Sequence, residues 1–251
     1  MQPETRERMA GMIRLNTVML LREPGPLVSR LLMPVILMML LRPLYAAALP
    51  RAGTVQAVTG MSVMFSLLAL GLVGSGILTE RVWHTWDRLR SSATIPVEIL
   101  VAKSVPTLGF LAAQQVVVFT VGALALGLRI EHPGLLVLAV GAWVVMLLGL
   151  GTALGTISRS HAELAAAQDV GGLVLTSLGG ALVPLAVLPG WVHDIAPLSP
   201  GYWGVQAMTA AVAGDATRVM ETAGVLGAVA LAALGLASAR IRHGWTRSDL
   251  L

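Results

Sequence analysis

A lysine that follows a glycine-rich loop is the residue that holds nucleotide phosphates in many ATPases, and this sequence contains one lysine, Lys103. The phosphate-binding loop needs Gly-Lys followed by Ser or Thr, so that backbone amides, an ammonium group and a hydroxyl surround the phosphates and Mg²⁺. Ala102 precedes Lys103, and no glycine-rich stretch comes before it. The sequence therefore excludes a P-loop ATPase site in this polypeptide.

Metal binding and nucleophilic catalysis also lack their usual patterns. No two histidines stand three or four residues apart, the spacing that places two ligands on one helix face. Cysteine is absent, which excludes thiolate ligands and cysteine nucleophiles. Asp169 is the only acid near the interior of an apolar segment, and we interpret it as a helix-end cap or the partner of a nearby arginine. We predict no catalytic residue, no metal site and no cofactor bound by this chain.

Two pairs of adjacent, uncharged polar residues lie inside apolar segments, where a polar group needs a partner: Gln114 with Gln115, and Thr176 with Ser177. Two interpretations stay open for them, namely hydrogen bonds between helices and contacts with a translocated substrate. Small residues at four-residue spacing, such as Gly151 with Gly155, predict close helix crossing within a bundle.

The composition predicts that lipid surrounds most of the chain. Hydrophobic residues make up 56% and charged residues 12% of the sequence, whereas about 25% is charged in a typical soluble domain. A helix needs roughly 20 apolar residues to cross a bilayer. Five uncharged runs have this length, and a weaker, earlier run contains Arg30, Pro34, Arg42 and Pro43. We predict one transmembrane domain over residues 1–251, with spans at about 27–49, 56–78, 104–128, 134–157, 166–188 and 219–240.

The basic residues predict the orientation, because cytoplasmic loops near span ends retain Lys and Arg. With both termini in the cytoplasm, all but four of the 17 basic residues fall inside; the exceptions are Arg42, Arg51, Arg129 and Arg218. The charges lie at the ends of apolar blocks, which argues against a nucleic-acid partner. The predicted fold is an all-α membrane protein with six transmembrane helices. It adds an interfacial helix at 4–22, a short amphipathic cytoplasmic helix at about 81–94, and outer re-entrant or surface helices at about 189–215.

Two groups of motifs carry a family resemblance. After the second predicted span stand Glu80-Arg81, Thr85, Arg88-Leu89-Arg90 and Ile95-Pro96. Before the sixth stand Gly179, Pro184, Leu188-Pro189-Gly190-Trp191 and Pro197-Leu198-Ser199-Pro200. In this order, and over nearly the whole chain, the features resemble the membrane permeases of ABC type-2 exporters. The run from Asp87 to Ser91 is most similar to the drug-exporter branch, typified by daunorubicin resistance permeases.

This resemblance implies a set of partners. The amphipathic helix would be a coupling helix that docks into a separate ABC ATPase, present in two copies, which would use ATP and Mg²⁺. A second copy of the permease, or a homologous permease, would complete the complex in a bacterial cytoplasmic (inner) membrane. The residues expected to couple to the ATPase are Glu80, Arg81, Trp86, Arg88, Leu89 and Arg90.

The uncharged interior predicts a hydrophobic or amphiphilic cargo, such as a drug, an antibiotic or a lipid-like compound. A polysaccharide or glycolipid exporter of the same family is the nearest alternative. A noncatalytic assembly or anchoring protein would use the amphipathic helix as a dock without transport. A membrane-embedded enzyme such as a lipid transferase would need clustered acids or histidines, and the sequence has none.

Overall fold

The computed structural model describes residues 3–22, 24–82 and 96–242, and the side chains of 7–22, 24–79 and 102–241. All regular secondary structure in these ranges is helical. The α-helices are α1 (Pro3–Arg22), α2 (Pro24–Ala48), α3 (Gly53–Leu67), α4 (Leu70–Val82), α5 (Pro96–Leu126), α6 (Pro133–Ile157), α7 (His161–Leu178), α8 (Gly190–Ile195), α9 (Pro200–Ala213) and α10 (Ala216–Arg242). Short 3-10 turns at Leu185–Val187 and Ala196–Leu198 flank α8.

Five stretches of the described chain are long and apolar enough to cross a membrane: Pro24–Ala48, Gly53–Thr79, Ala102–Leu126, Pro133–Ile157 and Ala216–Ile241. They coincide with the first, second, third, fourth and sixth predicted spans. The prediction of an all-α protein with several spanning helices is therefore confirmed. The count of six spans and the cytoplasmic position of both termini stay predictions.

The region of the fifth predicted span, 166–188, is only partly helical. Its helix, α7, begins at His161, where the Ser160 hydroxyl caps the helix by accepting a hydrogen bond from the Glu163 amide at 3.1 Å. The helix ends at Leu178, and Gly180 adopts a left-handed φ of 74°. Such a φ suits glycine and stops a right-handed helix. The apolar sequence therefore continues past the end of α7 through a bend and a 3-10 turn.

The second candidate span forms the centre of the bundle. In its most apolar window 72% is buried, compared with 17% for Pro24–Ala48. On α3, the side chains of Ala57, Met61 and Leu67 have no exposed surface. Helices α2, α5 and α9 pack around α3. Consequently the faces that remain for lipid or for partners belong mainly to the surrounding helices.

Close backbone contact through glycine joins α6 to its neighbours. A Cβ added at Gly155 would lie 2.5 Å from the carbonyl oxygen of Gly74 on α4, and one at Gly149 would lie 2.9 Å from that of Ala230 on α10. Glycine permits such an approach because it carries no side chain. The expectation of close helix crossing at Gly155 is confirmed, and the contact is made with Gly74.

Candidate transport and coupling site

The predicted coupling residues follow directly from α4. Glu80 and Arg81 lie in the last turn of this helix, whose side chains are described as far as Thr79. Trp86, Arg88, Leu89 and Arg90 lie outside the described residues, as does most of the predicted helix at 81–94. The helix that leads to the predicted coupling segment is therefore α4, and its attachment to the bundle determines what that segment can move.

A break in the helical hydrogen bonds separates α3 from α4. The Ala69 amide donates to the Ser66 carbonyl at 3.1 Å, and the Leu72 amide donates to the Ala69 carbonyl at 3.0 Å. These bonds join residues three apart, whereas a regular α-helix would pair the Leu72 amide with the Leu68 carbonyl. The Leu68 carbonyl therefore loses its usual helical donor.

Gln168 on α7 supplies a donor to this carbonyl. Its Nε2 lies 2.6 Å from the Leu68 oxygen, and its side chain is 8% exposed. Gly71 provides the space for the amide, since a Cβ at this position would overlap Gln168 Oε1. A buried carbonyl without a hydrogen-bond partner lowers the stability of a fold by about 1–3 kcal/mol. The hydrogen bond from Gln168 avoids this loss.

The same glutamine lies beside an acidic side chain. Gln168 Nε2 is also 3.3 Å from Asp169 Oδ1, and Asp169 itself is exposed. Asp169 lies in the middle of α7, so it is not a helix-end cap. Its role as the partner of a nearby arginine stays a prediction.

The two glutamines predicted near a pathway are buried and point to different neighbours. Gln114 is 0% and Gln115 is 1% exposed. Gln114 Nε2 donates to the Arg30 carbonyl on α2 at 2.8 Å, while Gln115 Oε1 accepts a hydrogen bond from the Ser62 hydroxyl on α3. Gln114 Oε1 and Gln115 Nε2 have no hydrogen-bond partner. The contacts of both glutamines favour the interpretation as bonds between helices.

Thr176 and Ser177 lie on α7, near its end. The Thr176 hydroxyl is buried and donates within its own helix, to the carbonyls of Gly172 and Leu173. Ser177 is half-buried. The four predicted pathway residues are thus divided between α5 and α7 and do not form one cluster.

Sequence reasoning missed the side chains that hold the bend after α7. The Ser199 hydroxyl donates to the Leu175 carbonyl at 2.6 Å, Gln56 Nε2 to the Gly180 carbonyl at 2.8 Å, and the Tyr45 hydroxyl to the Leu182 carbonyl at 2.6 Å. Buried carbonyls at a helix end need such donors. The glycines, Pro184 and the polar residues in the sequence signal a bend, but only the fold shows which side chains reach it.

A family model described as an ABC-2 type transporter matches residues 11–212. The chain belongs to the ABC-2 type transporter family. The matched range includes the second half of α1, all of α2 to α8, nearly all of α9, and the predicted coupling segment. The protein is therefore a permease, the membrane component of a transporter. No curated protein matches the sequence at a significant level.

The buried polar residues of this ABC-2 permease share one property. Within the described residues, each buried polar side chain is a serine, a threonine or a glutamine. The described ranges also contain no group of three or more His, Asp or Glu that could hold a metal ion. Ion and proton pathways through membranes usually use ionisable side chains, and none of these buried polar residues is an acid, a histidine, a lysine or an arginine.

Proposed function

We propose that this protein is the permease subunit of an ATP-driven exporter, which moves a hydrophobic or amphiphilic compound out of the cytoplasm. Membership of the ABC-2 type transporter family supports the role of permease. The uncharged interior is the single observation that carries the cargo class. A drug, an antibiotic or a lipid-like compound fits such an interior better than a metal ion or a proton does.

The energy would come from a separate protein. The sequence lacks a phosphate-binding loop, so ATP hydrolysis belongs to a partner ABC ATPase that uses Mg²⁺. Two ATPase copies would act on two permeases, either identical or homologous, in a bacterial cytoplasmic membrane. Glu80, Arg81, Trp86, Arg88, Leu89 and Arg90 would form the dock. Because α4 ends at this dock, a displacement of the dock would move α4 first.

Transport in this scheme depends on differential affinity. A cargo site open to the cytoplasm must bind the compound better than the same site does when it opens outward. Ser177 keeps exposed surface near the end of α7, and it is the pathway candidate that could touch a cargo in this conformation. Gln114, Gln115 and Thr176 would contribute mainly by holding the helices that border the path.

The first test is a search for the ATPase partner. The tagged protein would be purified from native membranes in mild detergent, and stoichiometric partners would be identified by mass spectrometry. The wild type is compared with Arg88→Glu plus Leu89→Asp. A matched control, Arg51→Glu plus Ala52→Asp, introduces the same acidic residues at two exposed positions on the loop before α3.

We expect a P-loop ATPase to accompany the wild type and the control, and to be lost from the Arg88 and Leu89 variant. Retention of the ATPase by that variant would place the dock elsewhere. Absence of an ATPase from every preparation, under conditions that preserve a control complex, would favour a noncatalytic anchoring protein. Uptake of rhodamine 6G, but not of an oligosaccharide, into vesicles containing the complex and ATP would separate an amphiphile exporter from a polysaccharide exporter.

A further inference from the structure

One side chain, Gln168, joins the junction between α3 and α4 to α7. Its amide donates to the Leu68 carbonyl at 2.6 Å, at the point where the helical hydrogen bonds of the second candidate span are interrupted. Inside a bilayer no water is at hand to satisfy a freed carbonyl, so the donor must come from the protein. A directional bond thereby ties α7 to this junction, and the Gln168 amide also lies against Gly71 in the first turn of α4.

Helix α6 makes a different kind of contact with α4. It meets α4 through Gly155 against Gly74, and through Gly151 against Val73. These are van der Waals contacts, which are individually weak and have no donor that must point in one direction. A hydrogen bond weakens steeply when its angle changes. A change in the angle between α4 and α7 would therefore be opposed by the bond from Gln168.

The interruption at Leu68 and Ala69 provides a place where α4 can bend relative to α3. Sharp changes of helix direction arise where the regular hydrogen-bond ladder is broken, and hinges are a few residues at the ends of elements. On the α3 side, Leu67 is completely buried in the core. On the α4 side, the helix runs to Val82 and the predicted coupling segment. Motion at the break would leave α3 in place.

We propose that Gln168 is a positioning residue for transport, which fastens α4 to α7 so that both helices move as one body when the coupling segment is displaced. The displacement of the coupling segment rests on the proposed function, because it requires an ATPase partner. The attachment of α4 to α7 by Gln168 does not depend on that function. The movement of α4 would thus be passed on to α7.

The fastening can be measured on the permease alone. The sequence contains no cysteine, so Gly76→Cys on α4 and Gly171→Cys on α7 introduce two unique thiols for spin labels. A Cβ at either glycine would meet nothing within 4 Å. Pulsed electron paramagnetic resonance then gives the distribution of distances between the two helices. Gln168→Met removes the donor with little change in volume, and Gln56→Met is the matched control, because it removes a bond of the same kind, from α3 to the Gly180 carbonyl beyond the end of α7.

We expect a narrow distribution for the wild type and for Gln56→Met, and a broader one for Gln168→Met. Gly71→Ala provides a second, independent variant, since its methyl group would displace the Gln168 amide without altering that residue. It should broaden the distribution as Gln168→Met does, and the double variant should show no further broadening. Equally narrow distributions for all folded variants would overturn the proposal and assign the attachment of α4 to α6.

The second measurement uses the complex with its ATPase in lipid vesicles, with rhodamine 6G as the probe. We expect Gln168→Met to retain ATP hydrolysis and to lose most ATP-dependent dye transport, whereas Gln56→Met retains both. Dye transport by Gln168→Met at the wild-type ratio to ATP hydrolysis would overturn the positioning role. If the wild type itself transports no dye, the proposed cargo class fails, while the distance measurement still decides the fastening.

Discussion

The side-chain amide of Gln114 replaces the backbone donor that Pro34 lacks. Pro34 lies inside α2, where a residue with an N–H group would donate to the carbonyl four positions earlier, that of Arg30. Gln114 Nε2 on α5 lies 2.8 Å from this oxygen. The defect that proline introduces into α2 thus becomes a bond between α2 and α5, which keeps both helices continuous.

A second proline shows a related arrangement. Pro106 lies inside α5 and leaves the Ala102 carbonyl without its usual donor. Asn16 Nδ2 on α1 lies 3.5 Å from that oxygen, at the outer limit for a hydrogen bond, and 2.9 Å from the Met12 carbonyl of its own helix. Helix α1 packs against α5 in this region. An amide therefore helps to attach α1 to the bundle.

The pairing of Gln114 with Pro34 predicts a specific dependence between the two positions. Gln114→Met should lower the free energy of unfolding by about 1–2 kcal/mol, because the Arg30 carbonyl loses its donor. In a Pro34→Ala background the backbone amide is restored, and the same substitution should cost less than half as much. SDS titration in mixed micelles measures both values. Equal costs in the two backgrounds would show that Gln114 does not compensate for the proline.

The contact between α6 and α4 predicts that alanine substitution at two glycines of α6 has different effects on stability. Gly155→Ala would press a methyl group against the Gly74 backbone, and we expect a loss of about 1–3 kcal/mol, typical of overpacking. Gly141→Ala meets nothing within 4 Å and should be neutral or stabilise the helix by up to about 1 kcal/mol. Unfolding midpoints compared in one detergent test the difference. Similar midpoints for both variants would contradict the close contact.

Trp143 and Gly204 should show rescue of one substitution by another. A Cβ at Gly204 would lie 2.6 Å from Cζ3 of the buried Trp143 ring, so Gly204→Ala should destabilise the protein. Trp143→Phe should also destabilise it by about 2–4 kcal/mol, because it leaves a void and removes the 2.8 Å bond from Nε1 to the Ser66 hydroxyl. The double variant should be more stable than the sum of the two losses predicts. Strict additivity in a double-mutant cycle would argue against this packing.

The bend after α7 should depend on the Tyr45 hydroxyl more than on an exposed hydroxyl of the same helix. Tyr45→Phe removes a 2.6 Å hydrogen bond to the Leu182 carbonyl from a side chain that is 2% exposed, at an expected cost of about 1 kcal/mol. The exposed Ser29 hydroxyl donates to the Pro26 carbonyl at 2.9 Å, within α2. Ser29→Ala is therefore the control for losing one hydroxyl of α2. Limited proteolysis at 179–189 should accelerate only for Tyr45→Phe.

The sequence predicts the long apolar helices because composition and length alone distinguish them from soluble helices. The sequence is less informative about whether a helix continues without a break. The run with Pro34 and two arginines is the weakest predicted span, yet α2 is one helix from Pro24 to Ala48, since Gln114 repairs the break from a distance. Mean hydropathy cannot detect the hydrogen bond from Gln114, because it averages over residues that are neighbours in the sequence.

The fifth predicted span shows the opposite case. Its apolar residues continue past Leu178, but Gly180 takes a left-handed conformation and the chain turns. Hydropathy is insensitive to backbone conformation, so the sum over this run predicts a longer helix than α7. The role of Gln168 also cannot be predicted from the sequence, because no sequence pattern around an isolated glutamine in a helix identifies its hydrogen-bond partner.

Two backbone carbonyls that lack their helical donor are paired with side-chain amides far away in the sequence, and this has a consequence for biosynthesis. Gln114 is separated from Arg30 by 84 residues, and Gln168 is separated from Leu68 by 100 residues. At a synthesis rate of about 5–20 residues per second, each carbonyl waits about 4–20 s for its donor to be made. During this interval the early helices must keep their unpaired groups hydrated or shielded by the insertion machinery. The first two apolar segments should therefore leave that machinery only after α5 and α7 have arrived.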